Sequence, residues 1–253
     1  MSSLTKLLSA AALFVISNNS VAQSSAEIKD TTYAISSRPA EGFNSIRLQG
    51  PFNVYITQGS AESLRLDAPN EILSSIVTEV NSSVLKVHNK HDYWFHAATN
   101  WYGEKSWWQT HKRVSVYITV KNLRGISVSG SGTVYFNNGI SADYLRLRVV
   151  GSGKMEGKVD AKTLRGRMSG SGHIKLAGNA GSSTVRISGS GNFSARDMVT
   201  LTSAVHVSGS GHAEVNATDE LSAQVRGSAH VGYTGAPKTV SSSKSGSGVV
   251  SRL

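Results

Sequence analysis

Three arginines, Arg148, Arg167 and Arg186, stand 19 residues apart, each three positions before a glycine. Arg146 and Arg165 precede the first two of them by two residues. A guanidinium is a planar fork of donors that takes phosphate, sulfate or carboxylate oxygens in pairs. If the chain returns to the same place every 19 residues, the five arginines form a basic stripe. Like charges on neighbouring strands, about 4.8 Å apart, repel one another. Such a stripe is unfavourable unless anions or carboxylates share it, so an anionic polymer is the ligand class it suits. A solvated face that discourages aggregation is the alternative.

Other reactive types are less well placed. At three residues after each reference glycine the sequence reads Thr133, Lys154, His173, Asn192, His212, His230 and Val249, and His212 with His230 lacks an evident third metal ligand. Polysaccharide cleavage needs two carboxylates on one face. Asp143, Asp160, Asp197 and Asp219 fall in turn-like stretches, and Glu156 and Glu214 are separated by three repeats. No serine stands in a nucleophile-elbow motif. No catalytic residue, metal or cofactor is therefore assigned. From His88 to Lys112 the chain holds Trp94, Trp101, Trp107 and Trp108, with Tyr93, Phe95, Tyr102 and four histidines. The large rigid faces of these rings suit either a glycan or protein docking surface, or a plug over exposed strand edges. Both readings are open.

The elements that must position these residues come from a repeat. A Gly-Ser-Gly phrase recurs from Ser129-Gly130-Ser131-Gly132 through Gly151, Gly170, Gly189, Gly209 and a decayed Gly227-Ser228-Ala229 to Gly246. First glycines lie 21, 19, 19, 20, 18 and 19 residues apart, which marks a solenoid. The glycines share parity with the apolar residues around them, such as Val185, Ile187, Phe193 and Val205, Val207, Val215. Alternate strand residues point to opposite faces, so both glycines are expected inside a corner and the serines outside, as possible hydroxyl ladders. The expected fold is all-β: a single-domain right-handed parallel β-helix of about seven to eight coils, with residues 88–112 as an inserted aromatic loop. Gln49-Gly50-Pro51 stands where a divergent first coil would turn, and Pro69-Asn70-Glu71 opens a helical turn.

Met1 to Ala22 reads as a secretory signal, with Lys6, the apolar Leu7 to Ile16 and the small-residue Ser20-Val21-Ala22 site. Residues 23–40 are expected to be a linker and residues 41–253 one domain. No transmembrane segment is expected in the mature chain. There is no cysteine and the formal net charge is +10, which excludes thiol catalysis and favours anionic partners. Nucleic acid is not expected as a partner of an exported chain.

The repeated Ser-Gly-Ser-Gly phrases, with Phe43-Asn44-Ser45-Ile46, Gly50-Pro51-Phe52-Asn53-Val54 and Leu123-Arg124-Gly125-Ile126 before them, resemble the bacterial "putative auto-transporter adhesin, head GIN domain" family over residues 41–250. The resemblance implies an exported β-helical domain and carries no catalytic or ligand residues. The sequence shows no membrane-barrel pattern after the repeats, so self-export is not expected. The combined expectation is an exported, non-enzymatic, adhesin-like binding protein of the cell envelope, periplasmic, outer-membrane-associated or secreted. Its partner would be an anionic polysaccharide or a cell-surface protein, met by Arg146, Arg148, Arg165, Arg167 and Arg186 with the four tryptophans. The alternatives are a structural envelope protein without a specific ligand and, after that, a polysaccharide-active enzyme.

Overall fold

A computed structural model describes residues 32–90 and 113–253. The signal segment 1–22, the first part of the expected linker and the tryptophan-bearing part of the insertion lie outside the described residues. In chain order come β1 (Tyr33–Arg38), β2 (Ser45–Gln49), β3 (Asn53–Gln58), β4 (Ser63–Pro69), the one-turn helix α1 (Asn70–Leu73), β5 (Ile76–Asn81), β6 (Val84–Asn89) and β7 (Ser115–Val120). The repeats follow as β8 (Gly125–Gly130), β9 (Thr133–Gly151), β10 (Lys154–Gly170), β11 (His173–Gly189), β12 (Asn192–Gly209), β13 (His212–Gly227), β14 (His230–Thr234), β15 (Thr239–Ser245) and β16 (Val249–Arg252).

From β8 onward every ladder is parallel, and each strand pairs with the next turn of the chain. This is the expected β-solenoid. Strands as long as the 19 residues of β9 must bend, and the alternation of burial shows where. In β10, Met155, Val159 and Ala161 are inside on odd positions, whereas Leu164, Gly166 and Met168 are inside on even ones. The wall therefore turns between Ala161 and Leu164. Valine, leucine, methionine and phenylalanine side chains, Phe52 and Phe193 among the largest, are almost wholly withdrawn from water and fill the interior.

The glycine phrase forms a sharper corner than alternation predicts. The second glycine, as in Gly153 and Gly172, is buried, but the first is not. Gly170 has φ +110°, and a Cβ there would lie 2.7 Å from the carbonyl oxygen of Gly151 in the coil before. The first glycine is needed for a left-handed backbone stacked on another glycine, not for an inward side chain. The serines face out as expected. Their hydroxyls form no ladder among the described residues; the backbone does, with Ser171 N–H donating to Gly151 O at 3.0 Å and Ser190 N–H to Gly170 O at 3.1 Å. A hydroxyl pair occurs instead inside the adjoining wall, Ser183 Oγ to Ser203 Oγ at 2.8 Å.

Two further expectations are corrected at the N-terminal end. Residues 33–38, inside the stretch expected as a linker, form β1, which pairs antiparallel with β4. Nor are the early coils stacked in chain order. β2 lies between β6 and β8, and β3 between β7 and β9, so the coil 45–58 is enclosed by chain that follows it. β4 runs antiparallel on β7, and β5 antiparallel on β6 through a turn whose residues Ser82 and Ser83 have φ +49° and +61°. A terminal coil presents an unpaired ladder, and β4, β1 and β5 cover it. Register places the insertion at a corner: Val87 aligns with Leu48 and Ser115 with Asn53, so the chain departs and returns where the neighbouring coil has Gly50-Pro51.

Candidate functional site: an arginine wall

The wall that leads into the glycine corner carries the predicted residues. Ser127, Arg148, Arg167, Arg186, His206, Gln224 and Ser243 occupy one continuous register across β8, β9, β10, β11, β12, β13 and β15. Arg146 and Arg165 align in the column beside it. Period variations are absorbed at other corners, for example between Gly157 and Val159 and between Ala195 and Val199. The arginine columns therefore stay aligned although the repeat length does not. Trp94, Trp101, Trp107 and Trp108 lie outside the described residues.

Structure adds residues that the 19-residue spacing does not mark. Arg47 pairs with Ser127 and Lys86 with Arg47, so the column continues through the N-terminal coils. Arg47 stands three residues before Gly50, and the same rule applied to that coil finds it. Arg226 arrives one residue before Gly227, opposite Ser208; no spacing rule singles it out. Tyr144 likewise carries no signal in the sequence. Its hydroxyl accepts from Arg146 Nη2 at 3.0 Å, and the guanidinium carbons of Arg146 and Arg165 each lie 5.7 Å from its ring centre. Both guanidiniums thus stand within cation–π range of one ring.

Charge is segregated on this molecule. Along the three outward columns of the wall, from Arg47 to Arg226, there are seven arginines and no aspartate or glutamate. None of the seven has an ion pair with a described residue. Four carboxylates elsewhere are matched to lysines: Asp143 to Lys162 at 2.7 Å, Asp219 to Lys238 at 2.8 Å, Glu79 to Lys86 at 2.8 Å and Glu156 to Lys175 at 3.7 Å. Lys162 holds the Asp143 carboxyl below its ordinary value. Register puts Lys175 and Ser194 between Glu156 and Glu214, so these two carboxylates do not share a substrate bond.

The histidine column also forms, with His212 and His230 stacked at 4.8 Å between ring centres. Their ring nitrogens turn to different partners: His212 Nε2 faces Glu214 at 3.7 Å and His230 Nε2 faces Ser251 Oγ at 3.3 Å. Among the described residues no three metal-ligating side chains converge. On the same wall Tyr117, Tyr55 and Tyr135 stack at 5.1 and 5.3 Å, with Arg65 4.5 Å above Tyr117. A recurrent Val-Tyr phrase marks them in the sequence. Five of their six ring faces are met by one another or by Arg65, so the ladder serves cohesion of the stack.

The family model "Putative auto-transporter adhesin, head GIN domain" matches residues 42–237. The chain belongs to this family. The head GIN domain also resembles solved structures. One, described as a putative adhesin from Bacteroides fragilis, is 25% identical with a TM-score of 0.77, covering 88% of this chain and 97% of the other. A putative lipid binding protein from Parabacteroides distasonis is 20% identical with a TM-score of 0.68, covering 88% and 98%. A putative adhesin from Parabacteroides merdae is 20% identical with a TM-score of 0.66, covering 88% and 97%. No curated protein matches. Among the described residues no helix is long and apolar enough to cross a membrane.

Proposed function

We propose that this head GIN domain is an exported, non-enzymatic, adhesin-like protein of the bacterial envelope whose arginine wall binds an anionic polysaccharide. One observation carries the reading: seven arginines fall on three neighbouring outward columns that hold no aspartate or glutamate, and none has an ion pair with a described residue, whereas Asp143, Asp219, Glu79 and Glu156 elsewhere are each matched to a lysine. Repulsion along such columns is relieved by a ligand that brings oxyanions at a spacing near that of the coils. The signal-like segment 1–22 supports export, and the tryptophans of the insertion are proposed as an additional docking surface. The separated and cation-matched carboxylates favour binding over hydrolysis.

A lipid ligand is suggested by the description of the Parabacteroides distasonis structure. Here the interior is filled by side chains such as Val185, Val205 and Leu221, so an acyl chain has no place inside the coils and only a headgroup could be met from outside. The test is binding to sulfated and neutral dextrans at two salt concentrations. Dextran sulfate should bind and weaken as salt rises, and Arg148→Ser/Arg167→Ser/Arg186→Ser should weaken it on the order of a hundredfold. Binding that survives the triple change in a folded variant overturns the proposal.

A further inference from the structure

Toward its C-terminal end the wall is no longer flat. Arg167, Arg186, Ser188, His206, Ser208 and Arg226 line a depression of about 260 Å³. Arg186 stands directly across the ladder from His206, and Arg226 lies diagonally from it, across from Ser208. Gln224 faces His206 from the other side and Arg167 faces Arg186. Among the described residues, every charged group facing this imidazole is therefore a guanidinium. Its Nδ1 is buried and has no hydrogen-bond partner among the described residues.

We infer that this depression is a subsite for one sulfate or phosphate monoester group, held by Arg186 and Arg226 with His206 as a titratable third donor. The inference deepens the polysaccharide reading and rests on it for the larger ligand. The volume admits a single ester with part of the sugar that bears it, and the two serine hydroxyls offer donors to oxygens the guanidiniums leave free. An imidazole between two arginines is a poor place for a third positive charge, and burial adds to the cost. Both effects hold His206 below its ordinary value, burial most, then Arg186, then Arg226. A bound oxyanion reverses the balance, because it screens the arginines and accepts from the imidazolium. Binding then takes up a proton and tightens as pH falls.

Methyl sulfate is the probe, since it does not titrate near neutrality. Calorimetric titration of the full chain should show saturable binding that tightens several-fold between about pH 7.5 and pH 5.5, the range spanning the ordinary histidine value. Arg186→Gln and Arg226→Gln should each weaken it about tenfold. His206→Gln should flatten the pH dependence, and Lys162→Gln, at the far corner of the coil and outside the depression, provides the control. In NMR the His206 imidazole should titrate at higher pH with methyl sulfate than without it. Absence of saturable binding, or an unchanged pH slope in a folded His206→Gln variant, overturns the subsite.

Failure of the two readings is separable. If dextran sulfate binds through Arg148 and Arg167 while methyl sulfate does not, the subsite falls and the wall stands. Phosphatidylcholine vesicles containing phosphatidic acid test the other source of a monoester. If they bind, are displaced by methyl sulfate, and dextran sulfate fails, the subsite stands and the polysaccharide reading falls.

Discussion

Individual residues carry the tightest constraints. Gly170 combines a left-handed φ with a Cβ position 2.7 Å from Gly151 O, so Gly170→Ala needs both strain and a separation of coils. A cost of about 2 kcal/mol or more is expected, or roughly 4–8 °C in melting temperature for a domain of this size, measurable by differential scanning calorimetry. A drop of less than about a degree contradicts that geometry. In the wall interior Ser183 and Ser203 satisfy each other's hydroxyls. Ser183→Ala should cost about 1–3 kcal/mol by stranding its partner, and the Ser183→Ala/Ser203→Ala double variant should recover part of it. Additive losses in denaturant melts would rule out the coupling. His206 adds a pH term to folding. Its native value is depressed, so below about pH 6.5 the unfolded chain holds more protons, and stability falls as pH drops from there toward the native value. His206→Gln should reduce that loss in midpoints compared at about pH 7.5 and pH 5.5.

Among the elements, the long repeat strands behave differently from the N-terminal ones, and legibility in the sequence follows the same division. The phrase around each glycine is local: Val-Arg-Ile-Ser-Gly at 185–189 prescribes side-chain direction, corner and outward arginine with its own few residues. The register of Arg148, Arg167 and Arg186 is therefore legible from spacing alone. β1 is not, because its alternation spans only Tyr33 and Ile35 and its stabilising partner is the edge of β4, supplied from residues 63–69. The order of coils is hidden for the same reason. Nothing local distinguishes a chain that stacks downward from one that first caps the top with β4 and β5, then crosses β2 and β3. Arg226 belongs to this class too, since it reaches the depression only because β13 stacks on β12.

At the scale of the whole molecule, the solenoid has unlike ends. One is closed by antiparallel β1, β4 and β5, while the other ends in β15 and β16, each paired on one side, with Val240, Val249 and Leu253 about half exposed. Removal of residues 1–40, and with them β1, frees the edge of β4. The shortened protein should self-associate more strongly, as seen in light scattering with size-exclusion chromatography. A truncated chain that remains as monodisperse as the full-length protein contradicts a protective role for β1.

The sequence by itself determined the repeat, the all-β solenoid, the outward serines and the alignment of five arginines, because period and parity are written within each twenty-residue unit. Only the tertiary structure decided which arginines lack counter-ions among the described residues, that Arg226 joins them, and that His206 is enclosed by positive charge. Those properties depend on what lies one coil above and below, and the spacing of coils is a property of the stack rather than of any single stretch of chain.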